Sequence, residues 1–171
     1  MPFSEGQTIV HPHHGPVRVD RVVERVIGGR PRTYLELVAG TPTHPLTISV
    51  PADRAADVGL REVCSPGRVA ELLALMEAPQ TPVTQQWARR MKDHQERLSR
   101  GDLEQTCLVI REIAASGAKP GATAEGQLLR QALAVVAAEV AQALRITPEE
   151  AEAAIEAALR RGGHVPLVAS A

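Results

Sequence analysis

Residues 46–60 read Leu46-Thr47-Ile48-Ser49-Val50-Pro51-Ala52-Asp53-Arg54-Ala55-Ala56-Asp57-Val58-Gly59-Leu60, and within them the chain changes its hydrophobic period. Leu46 to Val50 is a run of strand length and strand composition. Pro51 then opens a short helix at its first position, where a missing N–H is harmless, and Gly59 closes it. Before this stretch the chain is rich in Val, Pro and Gly; after it, in Ala, Leu and Glu. A joint change of period and composition in a chain of 171 residues argues for two small domains.

Working back from Leu46, Gln7 to His11 reads as a short strand that stops at Pro12. Val17 to Ile27 and Arg32 to Ala39 are β-prone runs. The Gly28-Gly29 pair between them signals a two-residue hairpin, because primed turns need positive φ. Four or five short strands in this space suggest a small SH3- or Tudor-like barrel, since closure removes exposed edges.

Working forward, Ser65-Pro66 opens a helix over Val69 to Glu77, and Pro79-Gln80-Thr81-Pro82 breaks the chain. A helix then runs from near Trp87 to near Gly101. Asp102 caps the next, with Leu103, Cys107, Ile110 and Ala114 on one stripe. Thr123 caps a long helix with Leu129, Leu133, Val136, Val140 and Leu144 inward, and Thr147-Pro148-Glu149-Glu150 is a capping box for a last helix to about Arg161. The expected fold class is α+β: an N-terminal SH3/Tudor-like β-barrel over residues 1–63, an all-helical domain over 64–161, and a loose tail over 162–171.

The formal net charge is −1, so nothing global marks a nucleic-acid binder. The distribution says more. Residues 1–80 carry 8 bases and 9 acids, residues 81–100 carry 5 and 2, and residues 101–171 carry 6 and 9. Any DNA contact is therefore expected in the middle segment. No run is long and apolar enough for a bilayer. Cys64 and Cys107 are far apart, with no Cys-x-x-Cys and no secretory segment, which reads as a reduced, cytoplasmic protein.

The middle segment holds Thr84 to Arg100, TQQWARRMKDHQERLSR. Trp87 is the only tryptophan of a chain with 2% aromatic residues, and Arg89, Arg90, Lys92, Arg97 and Arg100 follow it against two acids, Asp93 and Glu96. Trp87, Met91, His94 and Leu98 recur at the spacing of a buried helical stripe, so spacing alone favours a core tryptophan. The second reading is an exposed ring on a basic helix, able to hold phosphates while wedging at a DNA step. The bases by themselves fit an ordinary solvated face.

Chemistry finds little support. His11-Pro12-His13-His14, joined by His44, is the one metal-like cluster, but neighbouring strand residues point to opposite faces and no convergent set of three or four ligands follows. No metal, no other cofactor and no enzymatic activity are expected. The cysteines read as small core residues, and Ser99 and Ser116 have no evident base. No phosphate loop, zinc-protease helix or nucleophile elbow occurs.

Val10-His11-Pro12-His13-His14-Gly15 resembles the V-Y-P-x-H-G signature of the CarD/CdnL family of bacterial transcription regulators. Arg25, the hairpin to Tyr34-Leu35-Glu36-Leu37, Leu46 to Pro51, Val58-Gly59-Leu60-Arg61 and Trp87 to Lys92 follow in the order and spacing of family members, over about residues 3 to 145. The resemblance implies a Tudor-like module that binds the β subunit of RNA polymerase, and a helical domain that contacts promoter DNA weakly and without sequence preference. It implies a minor-groove wedge at Trp87, backbone contacts by Arg89, Arg90 and Lys92, and a polymerase contact at Arg25 with Tyr34 nearby. The activity implied is stabilisation of the open promoter complex by a cytoplasmic protein, expected to be a monomer.

The chain also departs from the family pattern. Ser49 stands where many relatives carry a second polymerase-contacting arginine, which weakens the contact or shifts it to Arg30, Arg32 or Arg54. His11 replaces a tyrosine, and Met91 stands where an aromatic residue is common. Two further readings stay open: a protein-interaction module without DNA contact, and a metalloenzyme built on the His11 to His14 cluster.

Overall fold

A computed structural model describes residues 3–41, 43–80 and 86–163. The chain divides into two compact units between Val63 and Cys64. From His164 on, the expected tail lies outside the described residues, as does the part of the proline-rich break from Thr81 to Gln85.

The first unit is a Tudor-like β domain. Its strands are β1 (Thr8–His11), β2 (Gly15–Ile27), β3 (Arg30–Thr41), β4 (His44–Pro51) and β5 (Arg61–Glu62), with a 3-10 turn at Ala52–Arg54 and a one-turn helix α1 (Ala55–Val58) before β5. They form one antiparallel sheet in the order β4-β3-β2-β1-β5. Gly28 and Gly29 both take positive φ, 60° and 75°, as the tight β2–β3 turn requires.

Two features of the sheet differ from the expected row of short strands. β2 and β3 are 13 and 12 residues long. The register of β2 against β3 also shifts between Val19 and Arg21, so Asp20 is an extra residue in a β-bulge. That extra residue lets Val19 and Val22 both pair with core-facing partners, Leu37 and Leu35. Ile9, Val17, Val19, Leu35, Leu37, Ala39 and Val50 form the inward layer, joined by Phe3, Ala55 and Leu60. Burying such side chains contributes roughly 1.5–3 kcal/mol each before entropy is counted.

The second unit is helical: α2 (Pro66–Glu77), α3 (Trp87–Ser99), α4 (Leu103–Ala115), α5 (Ala124–Leu144) and α6 (Pro148–Arg161). Four of the five starts are fixed by local side-chain caps. Ser65 accepts from the Arg68 N–H at 3.2 Å, Asp102 from Gln105 at 2.7 Å and Thr123 from Gly126 at 3.1 Å. Thr147 and Glu150 close a reciprocal capping box at 3.2 and 2.8 Å. Only α3 begins without a side-chain cap among the described residues; its N-cap is Gln86.

Val69, Leu72, Met76, Met91, Ile110, Ile113, Leu129, Val136, Val140, Ile155 and Leu159 make the core of this unit. In α5, Leu129, Val136 and Val140 are buried, whereas Leu133 and Leu144 are only half-buried. Glu139 is buried instead, and its carboxylate accepts from the Cys64 N–H at 3.1 Å, which joins the first residue of the unit to α5. Both cysteines are free thiols, and burial pushes the Cys107 thiol up to about 12. No described helix is long and apolar enough to cross a membrane.

Candidate functional site

The stripe expected to bury Trp87 is real but begins one turn later. Met91 and His94 are buried and Leu98 is half-buried, while Trp87 is 54% exposed. The core reading of this tryptophan is therefore corrected. Trp87 is the first residue of α3, and the residues of α3 that join the core, Met91, His94 and the half-buried Leu98, lie further along the helix.

The five bases of α3 and its C-terminus divide into two groups. Arg89, Lys92 and Arg100 are exposed. Arg90 and Arg97 are drawn into the fold. Arg90 sits i+3 from Trp87 and donates to Glu125 of α5 at 3.3 Å, the two side chains being 17% and 14% exposed. Arg97 donates to Glu112 of α4 at 2.8 Å and to Gln105 at 3.0 Å. Glu112 also meets Nε2 of the fully buried His94 at 3.2 Å. Burial alone raises a carboxylic acid's pKa; here the hydrogen bonds from His94 and Arg97 outweigh it and hold Glu112 down to about 2. Of the four residues expected on DNA, Trp87, Arg89 and Lys92 are each exposed, and Arg90 is committed to an ion pair inside the helical unit. Lys92 lies 3.8 Å from Glu96, an exposed i,i+4 pair of small energetic weight.

In the β unit, register assigns the outer face. Directly paired residues share a face, so Val23 lies with Tyr34, Arg25 with Arg32, and Arg21, Glu36 and Ser49 lie in one row. Arg25 donates to Glu36 at 2.6 Å, and its guanidinium stands 5.3 Å from the centre of the Tyr34 ring. Arg21 approaches the same carboxylate at 3.7 Å. Arg25, Tyr34 and Ser49 are therefore brought to one face. Sequence reasoning missed Glu36 as the residue that organises them; its place at alternate spacing from Tyr34 was the available signal. Arg54 pairs with Asp57 at 3.2 Å, both side chains being exposed.

The histidines do not converge. His11 is buried at the end of β1, its Nδ1 accepting from the His13 N–H at 3.2 Å, while His13 and His14 are exposed. Burial, and then the neighbouring His14 and His13, lower the His11 pKa. His44 begins β4, separated from β1 by the two strands β3 and β2 in the sheet order, and lies beside Thr43 Oγ1 at 3.2 Å. Among the described residues no three His, Cys, Asp or Glu side chains are placed to hold a metal ion.

Two family models match the chain, one for each unit. Residues 3–64 match the CarD-like/TRCF RID domain, and residues 71–156 match the CarD C-terminal domain. The first match spans the five-stranded sheet and the second begins inside α2, spans α3, α4 and α5, and ends within α6. With both of its units matched in order, the chain belongs to the CarD/CdnL family of RNA polymerase-interacting transcription regulators.

Proposed function

We propose that the β unit binds the β subunit of RNA polymerase through the face carrying Arg25, Tyr34 and Ser49, and that the helical unit then stabilises the open promoter complex through Trp87. The observation that carries this reading is the exposure of the only tryptophan, on the first turn of a helix whose Arg89 and Lys92 are also exposed. The protein acts without catalysis and as a monomer in the cytoplasm. Its contact with promoter DNA is weak and sequence-independent.

The physical argument is one of differential affinity. Inserting a ring between stacked bases costs a few kcal/mol on intact duplex and far less where the duplex is already opening. A ligand shifts an equilibrium only by binding its two states unequally. Base–aromatic stacking of about 1–3 kcal/mol therefore raises the open population about tenfold toward the lower end of that range, at about 1.4 kcal/mol, and about thirtyfold at its middle. Weak DNA affinity suffices, because a chain held on polymerase meets the DNA at an effective concentration that reaches the mM range.

Arg89 and Lys92 are the phosphate partners in this reading, and Arg90 acts from behind, by holding the first turn of α3 to α5. One observation favours the alternative, a polymerase-bound module without DNA contact: the exposed residues of α3 and its C-terminus include Arg89, Lys92 and Arg100 but also Asp93 and Glu96. Open-complex lifetime on a promoter fragment separates the two. Trp87→Ala that binds polymerase and melts like the wild type, but shortens that lifetime, supports the wedge. An unchanged lifetime leaves only the protein-interaction role.

A further inference from the structure

The turn that joins β1 to β2 is closed by one histidine. His11 ends β1 and is 7% exposed. Its carbonyl accepts from the His14 N–H at 3.2 Å, and its ring Nδ1 accepts from the His13 N–H at 3.2 Å. A ring nitrogen that accepts carries no proton, so this imidazole is neutral with its proton on Nε2. The rings of His14 and His13 stand 4.8 and 5.9 Å from that of His11, centre to centre. Three imidazoles thus crowd a turn whose closure depends on the first of them being uncharged.

The neighbouring elements do not balance a charge on that ring. Register sets Gly15 of β2 opposite His11, and Arg61 and Glu62 of β5 opposite Val10 and Ile9. Glu62 is exposed. Arg18 of β2 is paired with Asp20, and Asp57 of α1 with Arg54, at 3.2 Å each. Pro12 lies against Gly59, where a Cβ would meet the proline Cγ at 3.4 Å. Among the described residues the charges that bear on His11 are those of His14 and His13, and both act with burial against its protonation. A proton on Nδ1 also sets donor against donor at the His13 N–H, and that bond is lost.

We propose that His11, His13 and His14 form a proton-sensitive clasp: with His11 neutral the β1–β2 turn is locked, and protonation of His11 opens it and loosens the pairing of β1 with β5. β5 is a two-residue edge strand that pairs with β1, so it follows β1 when the turn opens. Arg61 and Glu62 also stand just before the end of the unit at Val63, so the clasp governs how firmly its last residues are held. The signature tyrosine that His11 replaces takes up no proton there; the clasp comes with the histidine. The sign follows from linkage. Because the folded unit holds His11 below its ordinary 6.5, the clasp is complete above 6.5 and is lost as pH falls through 6.5 toward the folded midpoint.

The test follows the full chain by NMR from about pH 7.5 to about pH 5, the range in which histidine changes charge. It reads the histidine ring signals and the exchange protection of backbone amides, corrected for the intrinsic pH dependence of exchange. His11 should titrate below 6.5, and protection in β1 and β5 should fall about tenfold for each pH unit of that displacement. Amides of β3 and β4, away from the turn, should keep theirs. His11→Tyr should hold β1 and β5 protection constant over the same range. The double variant His13→Asn/His14→Asn should move the His11 midpoint up toward 6.5 and shrink the loss. A His11 that titrates at 6.5, or a loss of protection that persists in His11→Tyr, overturns the proposal. Should His11→Tyr fail to fold, the double variant decides alone: an unmoved midpoint with an undiminished loss overturns the three-histidine clasp.

Discussion

The outer face of the sheet and helix α3 carry similar numbers of arginines and use them in opposite ways. On the sheet, Arg25, Arg30 and Arg32 all face outward, with one acid, Glu36, among them. On α3, Arg90 and Arg97 turn inward onto Glu125 and Glu112, and only Arg89, Lys92 and the C-terminal Arg100 remain displayed. The reason is geometric. A strand residue has one of two faces, set by alternation. A helix residue flanking the buried stripe has a long side chain that reaches an acid on the next helix or leaves it for solvent. A count of bases in a helical segment therefore overstates what a ligand meets, and the same count on a ribbon does not.

The sharpest break in this comparison is Glu112. If Arg97 is structural, Glu112→Ala leaves its guanidinium and the buried His94 without their carboxylate, and should cost about 3 kcal/mol, near the lower bound for breaking a buried pair. Denaturant unfolding measures it. A change below 0.5 kcal/mol, the scale of an exposed pair, would return Arg97 to the solvated face. The same carboxyl gives a pH signature. Its folded pKa of about 2 lies below the ordinary 4.5, so its contribution is complete above about 4.5 and is lost as pH falls toward 2. Glu112→Gln should flatten the acid limb of the melting-temperature profile in that window.

Next in size is Trp87. At 54% exposure it contributes little to the core, so Trp87→Ala should leave melting temperature within a few degrees while cutting open-complex lifetime about tenfold, the scale of one lost stacking contact. A core tryptophan would instead cost roughly 3–5 kcal/mol on truncation. Blue-shifted, quench-resistant fluorescence of the native indole would contradict the exposure directly.

Smaller, but opposite in sign to simple electrostatics, is Glu125. Removing an acid near a DNA contact ordinarily strengthens binding. Glu125→Gln also releases Arg90 from α5, and with it the turn that carries Trp87, so open-complex lifetime should fall severalfold despite the added positive charge. The charge-swapped pair Arg90→Glu with Glu125→Arg should recover part of it. A longer lifetime in Glu125→Gln would make Arg90 a phosphate contact after all.

What the sequence disclosed and what it concealed follow the same geometric line. Ser65, Asp102, Thr123 and Thr147 were readable as caps because a cap is settled by residues two or three positions away. Gly28-Gly29 was readable because the turn needs its two positive φ angles locally. Arg90 and Arg97 were not, because Glu125 and Glu112 lie 35 and 15 residues further on. Periodicity placed Trp87 on the right stripe but carries no information about where the covering helices stop. The family resemblance assigned Arg25, Tyr34 and the position of Ser49 to polymerase contact, but their common face, the length of the β2–β3 ribbon and the bulge at Asp20 came only with the pairing register.

The smallest effect decides how far the displayed bases of α3 act on DNA at all. Arg89 is exposed, two residues after Trp87 and next to the ion-paired Arg90. If it meets a phosphate, Arg89→Ala removes one counterion-releasing contact, and the logarithm of DNA affinity should then lose about 0.7–0.9 of its slope against the logarithm of salt concentration. The loss should be uniform across promoter sequences, since a phosphate contact carries no base information. Stability should not move, because no internal partner is lost. Lys92→Ala should give a similar or smaller change, its ammonium being shared with Glu96 at 3.8 Å. Equal salt slopes in wild type, Arg89→Ala and Lys92→Ala would mean that the exposed bases of the helix serve solubility, and that any stabilisation of open DNA rests on the indole of Trp87 alone.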